Sequence, residues 1–247
     1  MTDAEPTPQE LLVSLRNCTG EARFRFARTN VGVLLARLPK PADLLGHLTD
    51  HETFEACFDQ PAYSSFLIEL TESLVAQYRV DDFRGLRMAI EDCLWTIAKS
   101  QRESDQFVDF CTAFGKAIED FILGVDSNFS NVMLPISNRG LINEKNPGMR
   151  ELRRIIAKTL VRRCAVDQWR EVASMIGTST GTIGMESLKD FMGEIRSLDD
   201  FLFHASLGFY LTWGNVSSEY CIGEISRVEE ATRSRVKQRS DPTALPG

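Results

Sequence analysis

Apolar residues recur at three- and four-residue spacing along nearly the whole chain, the pattern of helices that each bury one face. Two long stretches without internal proline, Pro61 to Pro135 and Pro147 to Pro242, carry it throughout. Strict alternation is scarce, and its nearest instance, Arg23-Phe24-Arg25-Phe26, is too short to found a sheet. The spacing predicts helices over Pro8 to Asn17, Glu21 to Leu38, a short one near Leu44, His51 to Phe58, Ala62 to Arg79 and Asp82 to Lys99. Others follow over Ser104 to Gly124, Met149 to Cys164, Val166 to Ile176, Met185 to Trp213 and Val216 to Arg239. Asp81, Ser104 and Asn215 suit N-caps, because a short side-chain oxygen there accepts an otherwise unpaired first-turn N–H. The expected architecture is all-α, a multi-helix bundle of about ten helices.

The punctuation between helices sets the expected organisation. Pro39-Lys40-Pro41 stops the second helix. Asp126 to Pro147 is rich in Asn, Ser, Gly and Pro and reads as an exposed loop, and Gly177 to Gly184 reads as a small-residue connector. We expect an N-terminal helical section over residues 1–80, a C-terminal bundle over 81–239 and a disordered tail over 240–247. Charge divides unevenly: residues 1–146 carry a net −8 and residues 147–247 a net +1. Positive surfaces are therefore expected in the second part.

Composition narrows the class without naming a function. With 43% apolar and 26% charged residues and a net charge of −7 in 247 residues, the chain has enough apolar surface to fold. No apolar run approaches the length of a membrane span, and the acidic start lacks a basic flank before an apolar stretch, so a cytoplasmic protein without membrane association is expected. Cys18, Cys57, Cys93, Cys111, Cys164 and Cys221 show no CxxC pairing and read as reduced core residues. No cofactor motif is present. His47 and His51 are four apart, but Thr49-Asp50-His51-Glu52 reads as a capping box with Thr49 as N-cap, so no metal site is expected there. The Gly177 to Gly184 segment lacks the lysine of a phosphate-binding loop.

Two constellations carry candidate chemistry. Arg150, Arg154, Lys158 and Arg162 stand at four-residue steps, a ridge of positive charge on one helix. Such a ridge is either a solvated face or a binding surface for RNA or an acidic partner. Arg196, Asp200 and His204 stand at the same spacing, so Asp200 could orient His204 while Arg196 steadied an anion. Around them, Leu188, Phe191, Ile195, Leu198, Leu202, Ala205 and Phe209 share one helical face, whereas His204, Leu207 and Leu211 lie on the other. A helix apolar on both sides is central to its domain or meets a second chain. Leu207 and Leu211 are the expected homodimer contacts.

The run Leu198-Asp-Asp-Phe-Leu-Phe-His204-Ala205, with the helical pattern that follows, resembles the end of a HEPN domain. The resemblance spans about residues 85–239. It implies an all-helical, usually dimeric bundle, and in many members a metal-independent ribonuclease of toxin–antitoxin, abortive-infection or RNA-processing systems. The family motif places an arginine and a polar residue ahead of the histidine. Asp199 and Asp200 stand where they would fall, and the nearest arginine is Arg196. An aspartate in place of the arginine would repel a scissile phosphate. The expectation is therefore a non-catalytic, HEPN-like interaction or regulatory protein of a bacterial defence or toxin–antitoxin system; the alternatives are a metal-independent ribonuclease using His204, Arg196 and Asp200, or a purely structural helical domain.

Overall fold

The computed structural model describes residues 6–77, 83–100, 102–124, 147–163, 169–180 and 185–213, together with Ser226, Arg227, Glu230, Ala231, Arg233 and Ser234. The chain is all-α, with no strand among the described residues. In order, the helices are α1 (Pro8–Asn17), α2 (Gly20–Arg37), α3 (Asp43–Leu48), α4 (His51–Cys57), α5 (Pro61–Ala76), α6 (Phe83–Lys99), α7 (Asp105–Ala117), α8 (Glu119–Gly124), α9 (Pro147–Arg163), α10 (Trp169–Thr180), α11 (Met185–Leu198) and α12 (Asp200–Trp213). They form two compact units. The first comprises residues 1–121 and 145–152, the second residues 122–144 and 153–247. Within the first unit α3 packs on α6 and α5 packs on α7, contacts that join residues on either side of residue 80.

Local chemistry explains several boundaries. Thr7 caps α1 in a reciprocal box: its hydroxyl accepts from Glu10 N at 3.3 Å, and its own N–H donates to the Glu10 carboxylate at 2.7 Å. Ser104 caps α7 as expected, accepting from Phe107 N. The expected Thr49 cap is corrected. Asp50 caps α4, its Oδ1 accepting from Thr53 N at 3.2 Å. Thr49 ends α3 instead: it is buried, its hydroxyl donates to the Leu45 carbonyl at 2.9 Å, and its carbonyl accepts from Thr96 Oγ1 at 2.7 Å. A hydroxyl already committed backwards cannot cap forwards. The expected caps Asp81 and Asn215, the loop core at 126–146 and the tail at 240–247 lie outside the described residues.

The first unit is organised around aromatic rings. Phe24, Phe54, Phe58, Tyr63, Phe66, Phe107, Phe110 and Phe114 form a connected series with centroid separations of 5.0 to 6.2 Å. Arg23 enters this interior from α2. Its guanidinium donates to the Leu15 carbonyl (3.2 Å), the His47 carbonyl (3.1 Å) and Thr53 Oγ1 (3.1 Å), and pairs with the Asp50 carboxylate. One side chain therefore ties α1, α2, α3 and α4 together. Cys57, Cys93 and Cys111 are buried free thiols, and burial raises the pKa of each, that of Cys57 to about 11. These three are core residues protonated at neutral pH, whereas Cys18 is half-buried and Cys164 and Cys221 lie outside the described residues. At the start of α9, Gly148 lies against α7 so closely that a Cβ would sit 2.7 Å from both Cys111 Sγ and Phe107 Cδ1.

The second unit has α12 as its central helix. Residues 202–207 are six consecutive buried positions, which is what a helix apolar on both sides requires. The continuous helix expected from Met185 to Trp213 is instead two helices. Asp199 breaks it: its N–H still donates to Ile195 O at 2.8 Å, closing α11, while its carboxylate accepts from Leu202 N at 2.8 Å, opening α12. The expected connector at Gly177 is also corrected, since α10 continues through Thr180.

Candidate functional site

Asp200 and His204 lie one turn apart at the start of α12, and Arg196 lies in the last turn of α11. The break at Asp199 does not scatter them. Arg196 Nε stands 3.3 Å from Asp200 Oδ1, and His204 Nε2 stands 3.4 Å from Asp200 Oδ2. The Arg196 guanidinium also lies over the Phe203 ring, 4.7 Å from its centroid. The spacing read from the sequence thus becomes a real chain of contacts.

Its exposure runs in a definite order. The Asp200 side chain is 67% exposed, that of Arg196 49%, and that of His204 only 7%. The imidazole therefore sits beneath the carboxylate, with Nε2 turned to it. A general acid or base must reach the proton it transfers, and an approaching phosphate would meet Asp200 first. The arrangement suits an oriented, buried histidine better than one that works on a polyanion.

The face that His204 shares with Leu207 and Leu211 is covered unevenly. Leu207 is 7% exposed within the single chain, covered alongside its neighbours where α10 and α11 pack on α12. Leu211 is half-buried. Ile195, Leu202 and Ala205 are buried as expected, Phe209 is half-buried and Leu198 reaches solvent. The tightest approach is at Gly177, where a Cβ would lie 2.3 Å from Ser206 O and 2.5 Å from Phe209 Cβ.

The basic ridge is an exposed face of α9. Arg150, Arg154, Lys158 and Arg162 are all exposed, while Leu152, Ile155, Ile156 and Leu160 turn inward. The four-residue step keeps like charges on one side, and the intervening leucines and isoleucines hold that side outward.

One feature had no sequence signal. The first unit contains an open cleft of about 1440 Å³ bordered by the C-terminal end of α2, by α3, by the end of α5 and by the start of α6. Leu35, Leu74 and Leu86 supply apolar wall, and Arg16, Lys40, Arg84, Asp43 and Asp92 supply charge. These residues come from five separate stretches of chain, so no local motif marks them. His47 lines it too, and its pKa is lowered, first by burial and then by the nearby Arg23 and Arg16. Its folded pKa lies below the ordinary 6.5, so the folded chain binds fewer protons than the unfolded one in that window. Stability should hold above about pH 6.5 and fall as pH drops through the lowered folded value. Thermal melts between about pH 7.5 and 5 should show this slope, and His47→Gln should flatten it.

Among the described residues, no group of three or more His, Cys, Asp or Glu side chains could hold a metal ion. No described helix is long and apolar enough to cross a membrane. Comparison with protein-family models, with curated proteins and with solved structures gave no match.

Proposed function

We propose that the chain is a non-catalytic, all-helical interaction protein, HEPN-like in its C-terminal part, that uses the exposed ridge of α9 toward an acidic partner. The observation that carries this reading is the position of His204. The one histidine placed to do acid–base chemistry at a HEPN-like motif is covered by a carboxylate and 93% removed from solvent at its side chain. Exposure of Arg150, Arg154, Lys158 and Arg162 supports the ridge as the docking face. A bacterial defence or toxin–antitoxin setting, a cytoplasmic location and self-association through Leu211 follow from the resemblance and the sequence pattern.

A metal-independent ribonuclease is the second reading, favoured by the assembled Arg196–Asp200–His204 contacts. There His204 would serve as general acid or base and Arg196 would steady the phosphate. Purified protein incubated with mixed RNA in EDTA separates the two. We expect no cleavage above that of the His204→Ala variant. Cleavage that disappears in His204→Ala would overturn the non-catalytic reading.

A further inference from the structure

We propose that the cleft of the first unit is a docking site for an acidic amphipathic helix of a partner protein. The inference goes beyond the reading of α9 and rests on residues of the first unit alone. Three observations determine the occupant.

The first is size. At about 1440 Å³ the cleft exceeds the roughly 300–1,000 Å³ typical of small-molecule sites. A helical segment laid in a groove fills such a space. The second is the wall. Leu35, Leu74 and Leu86 present apolar surface, and Met88 beside them is 50% exposed, an adaptable side chain of the kind that moulds to apolar anchors. Among the described residues no Phe, Tyr or Trp lines the cleft, so these residues offer no platform for stacked bases. That favours a peptide over single-stranded nucleic acid.

The third is charge. Arg16, Lys40 and Arg84 are exposed at the cleft, against Asp43 and Asp92. Among the described lining residues this excess of one cation occurs within a stretch, residues 1–146, whose net charge is −8. Carboxylates flanking apolar anchors at i, i+3, i+4 and i+7 would match this wall.

The test uses the full chain and two fluorescent helical peptides of about 14 residues, four turns. Both carry Leu at i, i+3, i+4 and i+7; one has Glu on its polar face, the other Lys. Anisotropy titration should show the Glu peptide binding at least about tenfold more tightly, whereas the acidic background by itself would favour the Lys peptide. Gly85→Met places a side chain in open space inside the cleft, since nothing lies within 4 Å of its Cβ position. It should weaken Glu-peptide binding about tenfold or more, as should Arg84→Glu. Gly193→Met, equally open but in the second unit, should leave it unchanged. Lys158→Glu should also leave it unchanged, which separates this site from the α9 ridge. Equal binding of the two peptides, no binding at about 1 mM, or binding indifferent to both Gly85→Met and Arg84→Glu would overturn the proposal. So would a single-stranded RNA oligonucleotide that competes for the same site.

Discussion

Adding one methyl group at Gly177 is expected to destabilise the second unit by about 3 kcal/mol. The Cβ of a Gly177→Ala variant would stand 2.3 Å from Ser206 O, 2.5 Å from Phe209 Cβ and 2.9 Å from Tyr210 N. Two of these three atoms belong to the backbone of α12 and the third is a Cβ fixed to it, so no side-chain rotation relieves the clash, and α10 and α12 must separate. Separation opens gaps along the most buried helix of the unit, where residues 202–207 are all covered. With Trp95 replaced by Phe, tryptophan fluorescence comes from Trp169 and Trp213 in the second unit, and urea titration reads its unfolding directly. Gly193→Ala is the matched control. Its Cβ meets nothing within 4 Å at an exposed position of α11, so alanine should stabilise by about 0.5–1 kcal/mol through helix propensity. A Gly177→Ala variant within about 0.5 kcal/mol of wild type would show that the helices do not cross this closely.

Loss of the Arg23 side chain should cost the first unit a comparable amount, about 3–5 kcal/mol for Arg23→Met. Methionine fills the apolar stem but removes every donor. The Leu15 and His47 carbonyls and Thr53 Oγ1 lose a partner, and the Asp50 carboxylate loses its counter-charge while still capping α4. The Asp50 side chain is 34% exposed, so water recovers part of that loss and the lower end of the range is the better figure. A double-mutant cycle with Asp50→Asn, which keeps the capping oxygen, isolates the ionic part. Hydrogen exchange should show faster opening first in α1, α3 and α4, the helices that the guanidinium joins to α2. Uniform protection in Arg23→Met would mean that the aromatic interior alone holds these helices in place.

Both residues show where sequence reading stops. Arg23 belongs to Arg23-Phe24-Arg25-Phe26, in which two arginines look equivalent. Tertiary packing buries one and leaves Arg25 at the surface, paired with Glu21 across a helical turn. Gly177 reads locally as the start of a flexible connector, because glycine, threonine and serine disfavour helix. Contact with α12 outweighs that preference and extends α10 through Thr180.

The sequence by itself determined the helical class, most helix positions, the α7 cap at Ser104, the exposed ridge of α9 and the spacing that joins Arg196, Asp200 and His204. All of these depend on residues within a turn or two of one another, where the 3.6-residue repeat fixes which side chains meet. The tertiary structure alone decided the burial of Arg23, the reassignment of the α4 cap from Thr49 to Asp50, the break at Asp199, the cover over Leu207 and the cleft. Each of these depends on which helix lies beside which. That is set by burying apolar faces from distant stretches of chain together, and no local spacing encodes it.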